Sequence, residues 1–348
     1  MKVMYAVVNY PPLFSGRAKQ ASYLKSKLES IYKEINIDVF SLDQSKLASR
    51  VAATDNDVLR CSYRNRLSAI IIFITRVLIG KCDVIHFHGL SYLILSAPLF
   101  KFLGKKIVFH MSSDLYDDPK TLNSRLITKI LVKYVDNIIV QKKSLAINSK
   151  CVFVPNILSL NPKLSNRVHD GVIKILVSGV ICPRKRQLDI IRSVISSGIS
   201  GIELHFAGSY VDDFNEFDEQ YIKDVINISD KNKIVHLHGH LKKNELILLM
   251  SRCQYFIAAS SQEGLSNAYV ECMATNLIPI IQENHGKVDE LFEYLDVEKH
   301  SIILKDMSDI NYKVLNEHLT DCKFNFSKNV LSKFSEDTVT KQVLDIYK

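Results

Sequence analysis

Short apolar runs alternate along the chain with longer stretches in which apolar residues recur every three or four positions. "KVMYAVVN" (2–9), "IDVFSLD" (37–43), "DVIHFHG" (83–89) and "KKIVFHMSS" (105–113) have the length and composition of buried strands. "NIIVQKKS" (137–144) and "CVFVPNIL" (151–158) complete a first series. The intervening segments, such as "AKQASYLKSKLESIYKEI", have helical length and spacing, which predicts βα units and a parallel sheet. Near Pro162 the pattern lapses into the polar, turn-rich "SLNPKLSNRVHDG". It then restarts with the strands "VIKILVSG", "IELHFAGS", "KIVHLHGH", "QYFIAAS" and "LIPIIQ". Helices are predicted at "QLDIIRSVISSG", "KKNELILLMSRC" and the terminal "SEDTVTKQVLDIYK".

This rhythm predicts two doubly wound α/β domains in tandem. The expected boundaries are 1–160 for the first domain, 161–172 for a linker, 173–330 for the second domain and 331–348 for the terminal helix. At 348 residues the chain is long enough for two cores. Ligands in such folds bind at the carboxyl ends of the strands, here in the cleft expected between the domains.

Composition narrows the class. A hydrophobic fraction of 47% and a charged fraction of 24% are those of a globular protein. Seven cysteines, an odd number with no CxxC pair, point to reduced thiols in a cytosolic setting rather than to a disulfide framework. The amino terminus is expected to be a strand, not a signal peptide. No stretch reaches the ~20 apolar residues of a membrane-spanning helix. Charge is unevenly divided. Residues 1–160 carry 23 Lys and Arg against 11 Asp and Glu, a net +12, while residues 161–348 carry 22 against 26, a net −4. The basic half suits an anionic surface, either nucleic acid or lipid headgroups.

Three loops offer chemistry. In "SSQEGLSNAYVECMATNLIPI", Ser266 is a credible N-cap, leaving Glu263 in the loop and Glu271 within the helix. Backbone N–H groups at Leu265, Ser266 and Asn267 would form an anion site, and carboxylates beside it suit sugar or ribose hydroxyls. Taken alone, the two glutamates read as a solvated Glu on a helix face and a loop Glu, since two glutamates at any one spacing are common. "VSGVICPRKRQLDII" presents Arg184, Lys185 and Arg186 at a strand end, where cations would neutralise a departing diphosphate. The alternative is a surface basic helix start, disfavoured by the macrodipole. "NYPPLFSGRAKQ" has Gly16 but neither GxGxxG nor a P-loop.

Together these segments resemble the retaining glycosyltransferases of family 4, which have the GT-B fold. The resemblance covers nearly the whole chain. "EGLSNAYVECMA" matches the family's E-x7-E motif, and "VSGVICPRKRQLDII" its glycine-arginine-lysine loop, with Gly179 and Lys185 at matching positions. It implies two Rossmann-like domains facing a central cleft, with the C-terminal helix crossing back to the first domain. It also implies that Lys185 holds the donor diphosphate, Glu271 the ribose and Glu263 the transferred sugar. The backbone from Gly264 through Leu265 and Ser266 to Asn267 would surround the phosphates, with Gly179 in the basic loop. Gly16 would approach the donor from the first domain and His110 would sit beside the sugar. Val180 stands where arginine is usual, leaving Arg184 or Arg186 as the substitute cation. Arg17 and Asn276 stand where glycine is frequent; asparagine tolerates a left-handed backbone.

The remaining features admit other chemistry. "HLHGH" places His236, His238 and His240 on one face if its strand continues, and "HFH" adds His86 and His88. No acidic or cysteine partner stands nearby at a metal-site spacing, so no metal is expected. His110 reads equally as a core histidine or a donor contact. "TDND" at 54–57 reads as a polar loop, because no apolar strand precedes it. "RCSYRNRLSAIIIFITRVLIGK" reads either as a basic amphipathic helix on a membrane or as a helix buried against the sheet. With "KFLGKK", the basic half favours an anionic membrane over nucleic acid, since no nucleic-acid motif is present.

The expected function is a retaining, metal-independent glycosyltransferase of hexosyltransferase type. It would move a sugar from a nucleotide-sugar, with a UDP-sugar as the expected donor substrate and no cofactor, to a lipid-linked glycan acceptor in bacterial surface-polysaccharide synthesis. Its expected location is cytoplasmic, peripheral on the inner membrane. The alternatives are a GT-B pseudoenzyme that scaffolds a partner, or a sugar-nucleotide epimerase.

Overall fold

The computed structural model describes residues 1–11, 16–43, 57–62, 66–89, 91–111, 122–141, 143–146, 148–158, 171–198, 200–210, 218–260, 267–282, 289–306, 309–321 and 323–348. The chain divides into two compact units, Met1–Ile157 with Glu336–Lys348, and Leu158–Ser335.

The first unit contains strands β1 (Lys2–Val8), β2 (Asn36–Asp43), β3 (Val58–Ser62), β4 (Val84–His88), β5 (Lys106–Met111), β6 (Asn137–Val140) and β7 (Cys151–Phe153). Its helices are α1 (Gly16–Ile31), α2 (Arg66–Ile79), α3 (Ala97–Phe102) and α4 (Leu122–Tyr134), together with the terminal helix Glu336–Tyr347. The sheet order is β3-β2-β1-β4-β5-β6-β7, with every pair parallel. Order reverses between β1 and β4, the kind of position where doubly wound sheets open a binding crevice.

Strand β1 shows why the sheet is covered on both sides. Met4 and Ala6 join a core with Phe40, Phe73, Phe87 and Phe100. Val3, Tyr5 and Val7 join another, with Leu24 and Leu28 of α1 and Val339 and Val343 of the terminal helix. Alternate residues therefore serve opposite faces, and each face needs its own helices. Phe73 lies 5.1–6.0 Å from the rings of Phe40, Phe87 and Phe100; truncating it to alanine would cost about 3–5 kcal/mol.

The second unit contains β8 (Ile173–Ser178), β9 (Ile202–Ala207), β10 (Val235–Leu237), β11 (Tyr255–Ile257), β12 (Ile278–Gln282) and β13 (Ile302–Leu304). Its helices are α5 (Gln187–Ser196), α6 (Glu219–Asp230), α7 (Lys243–Arg252), α8 (Asn267–Ala274), α9 (Asp289–Leu295), α10 (Tyr312–Asp321) and α11 (Phe326–Phe334); the terminal helix is α12. The parallel order β10-β9-β8-β11-β12-β13 reverses between β8 and β11.

Two sequence expectations change. The segment expected to be one basic helix divides, because "VLRCS" pairs with β2 as edge strand β3 and only Arg66–Ile79 is helical. Arg60 on β3 fixes this edge by an ion pair to buried Asp43 at 3.1 Å. The "HLHGH" strand stops at Leu237, and Gly239 turns the chain at φ 64°, so His240 leaves the face expected for it. Asn276 takes φ 66°, as its tolerance of the left-handed region predicts. The segment 44–56, which holds most of "TDND", and residues 161–170 of the expected linker 161–172 lie outside the described residues.

Candidate functional site

In the second unit, β8 and β11 are neighbours at the order reversal, so their carboxyl ends stand side by side. After β8 the chain passes Gly179 (φ 141°) and makes a single 3-10 turn, Pro183–Lys185. Arg186 then enters α5 in the left-handed conformation, at φ 54°. Lys185 and Arg184 thus sit in a separate turn and not in the first turn of α5. The helix start itself carries Asp189, which suits its dipole and holds Arg186 at 2.6 Å. The macrodipole mismatch expected from the sequence is therefore largely absent.

The loop is rigidly placed. Gly179 N–H donates to the Ala207 carbonyl and Ile181 N–H to that of Ser209, each at 3.0 Å. The Gln187 amide donates to the Val180 carbonyl at 2.8 Å, and Tyr221 O–H donates to Gln187 Oε1 at 3.2 Å. Lys185 folds back over Gly179, its Nζ 3.7 Å from where a Cβ at that position would lie. Gly208 is the sterically obligate member. A Cβ there would lie 1.8 Å from the Gly179 carbonyl oxygen, so this loop keeps its shape only with glycine behind it. Gly208 is inconspicuous in the sequence; its signal is the "FAG" exit of β9, which acquires meaning only because β9 lies beside β8.

After β11, helix α8 begins at Asn267. Tyr269, Val270, Cys272, Met273 and Ala274 are buried, while Asn267 and Glu271, four residues apart, are half-buried on one stripe. Tyr269 anchors the helix by donating to the Ala258 carbonyl at 3.1 Å and meeting Phe256 edge-on at 4.8 Å. The structure thus places Gly179, Arg184, Lys185 and Arg186 on one strand-end loop, and Asn267 and Glu271 on the helix after the neighbouring strand. Glu263, Gly264, Leu265 and Ser266 lie outside the described residues.

Gly16 and His110 belong to the first unit, where Gly16 opens α1 and His110 nears the end of β5. His86 and His88 alternate on β4, and His110 stands in register with His88, so the three share a face. The His86 and His88 rings stack at 4.0 Å, and Tyr347 of α12 reaches His86 Nδ1 at 2.6 Å and Tyr5 O–H at 3.1 Å. Burial, followed by the neighbouring histidines, pushes the His86 and His88 imidazoles well below their ordinary range, so both are neutral. His110 is half-buried and meets the Gln141 amide at 3.2 Å.

A second histidine group lies on β9 and β10. Glu203 Oε2 is 3.3 Å from His205 Nε2 and 3.9 Å from His236 Nε2. The expectation that no acidic partner accompanies these histidines fails, because the carboxylate comes from the adjacent strand. Burial, and then the charge of His236, lower His205 to about 4.

Residues 164–300 match the family model for "Glycosyl transferases group 1", which spans both strand-end loops but less than half of the chain. The match supports a glycosyltransferase. No curated protein sequence matches the chain. Among solved structures, Anabaena Alr3699/HepE in complex with UDP is 12% identical, with a TM-score of 0.74 over 99% of each chain. Sucrose-phosphate synthase from Thermosynechococcus elongatus is 13% identical, with a TM-score of 0.73 over 99% of this chain and 98% of its own. The lipopolysaccharide outer core galactosyltransferase WaaB, in its apo form, is 15% identical, with a TM-score of 0.69 over 99% of each. At these identities the likeness establishes the fold, which is GT-B.

Proposed function

We propose that the chain is a retaining, metal-independent glycosyltransferase of hexosyltransferase type that moves a sugar from a UDP-sugar to a lipid-linked glycan acceptor in bacterial surface-polysaccharide synthesis. The observation that carries this reading is the group 1 glycosyltransferase match, because it spans Gly179 and Lys185 on the loop after β8 and Asn267 and Glu271 on the helix after the neighbouring strand β11. That one solved neighbour holds UDP supports a uridine nucleotide as donor.

In this reading the anomeric C–O bond to the diphosphate breaks while the acceptor oxygen bonds to the same carbon from the same face. The acceptor proton passes to the departing phosphate oxygen. The chief demand is stabilising charge on that diphosphate, a role assigned to Lys185 and the backbone amides of residues 264–267. Glu271 accepts from ribose hydroxyls and Glu263 from the sugar, so the two carboxylates clamp hydroxyls and are not an acid and base pair.

The acceptor assignment draws on the surface of the first unit. No helix among the described residues is long and apolar enough to cross a membrane. Helix α2 buries Ala69, Phe73 and Val77 but exposes Leu67 (74%), Ile71 and Ile79 (74%). The neighbouring segment exposes Leu95, Leu99 and Phe102 (88%), beside Lys101, which pairs with Asp136, and half-buried Lys105. Exposed apolar side chains rimmed by cations suit an anionic membrane interface, and hence peripheral attachment to the cytoplasmic face of the inner membrane.

Thermal melts against a panel of nucleotide-sugars test the reading. One nucleotide class is expected to stabilise the protein, by about 2.7 kcal/mol at a hundredfold excess over its Kd. If no nucleotide-sugar shifts the melt, the donor assignment is wrong.

A further inference from the structure

The Glu203–His205–His236 group carries more than the donor reading uses. We infer that Glu203, His205 and His236 form a binding site for a divalent transition-metal ion, best matched to Zn2+, with His238 orienting His205. The site arises from sheet register. Glu203 and His205 are two residues apart on β9 and therefore project to one side. His236 on β10 stands directly opposite His205 in the parallel ladder and projects with them.

Their ligand atoms lie within 4.8 Å of one another. Bond lengths of about 2.0–2.1 Å in a tetrahedral zinc site imply ligand separations of roughly 3.3 Å. The Glu203–His205 pair already meets this at 3.3 Å, and the Glu203–His236 pair at 3.9 Å needs only a small side-chain adjustment. His236 Nε2 is buried and has no hydrogen-bond partner, a costly state that a bound ion would relieve. His205 Nδ1 lies 3.0 Å from His238 Nε2, which can accept the Nδ1–H of a metal-bound His205 and so fix its tautomer, the part a carboxylate, carbonyl or water commonly plays. Two neutral imidazoles and one carboxylate leave a fourth position for water.

The His86–His88–His110 group has a similar strand pattern but is the weaker candidate. It contributes no carboxylate to offset a dication, and its first two members are sealed in the core under α12. The β9–β10 group is partly exposed, with His236 at 39% and Glu203 at 30%, which gives an ion a route in.

The consequence is mechanical. Strand β10 is three residues long and lies at the sheet edge, and its exit residue Gly239 accepts from Gly208 N–H at 2.8 Å. An ion bridging β9 and β10 would pin the strand pair whose exit loop backs Gly179. The ion would therefore act as a structural tie behind the donor loop and not as a diphosphate ligand.

Chelator-stripped protein, titrated with Zn2+ against a chromogenic zinc indicator and separately with Co2+ by visible absorption, tests the site. One equivalent should bind, and tetrahedral Co2+ bands should appear without near-ultraviolet thiolate charge transfer. His236→Gln and Glu203→Gln should each weaken binding by about a hundredfold, His238→Gln by roughly tenfold, and His88→Gln should leave it unchanged. Metal-free circular dichroism of each variant confirms folding. Absence of stoichiometric binding, a thiolate band, or equal affinity in His236→Gln, Glu203→Gln and the parent would overturn the assignment. None of these readouts depends on glycosyl transfer.

Discussion

Lowering the pH from 7.5 to 5.5 should destabilise the first unit through its two buried histidines. His86 and His88 are neutral in the fold, and the nearest described titratable groups are His110, Tyr5 and Tyr347, none of which supplies a negative charge in this range. Because their folded pKa values lie well below that of the unfolded chain, the folded state binds fewer protons below about pH 6.5. Their contribution to stability is thus complete above that pH and is lost progressively as pH falls. Each histidine that stays neutral in the fold costs about 1.4 kcal/mol over this interval, so the pair costs about 2.7 kcal/mol. Urea denaturation at both pH values, followed by far-ultraviolet circular dichroism because the chain has no tryptophan, measures the loss. His205, His238 and His318 also have lowered values, so the decisive comparison is with His88→Gln. That variant should lose about 1.4 kcal/mol less than the parent on acidification. Equal acid sensitivity in both proteins would refute the claim that His88 is held neutral by burial.

Two further outcomes follow from the loops and the surface. Gly208→Ala must displace the Gly179 carbonyl, so it should lower stability by about 1–3 kcal/mol and weaken donor stabilisation in thermal melts, while unchanged donor response would show that the loop tolerates the shift. Leu99→Ser with Phe102→Ser should reduce flotation with anionic liposomes at low salt without altering the melting temperature, and undiminished flotation would remove this surface from the account.

The strands were legible because buried parallel strands are continuous apolar runs, and residues such as Val3 to Val7 leave little alternative. Strand β3 was not, since "VLRCS" is short, carries Arg60 and earns its place only by pairing with β2. The basic loop and the stripe of Asn267 and Glu271 were visible as residue types at strand ends. What chain spacing cannot express is juxtaposition across a sheet. Gly208 becomes obligate only when it backs onto Gly179, and Glu203 becomes a partner of His236 only through the β9–β10 register. The same limit applied to His240, whose place on a strand face depended on a turn at Gly239.

The most direct test is turnover of the stabilising nucleotide-sugar, with nucleotide release followed for the parent, Lys185→Ala and Glu271→Gln. The account predicts release by the parent, a loss of about a hundredfold or more in Lys185→Ala, and weaker donor binding in Glu271→Gln. Parent-like turnover in both variants would contradict it.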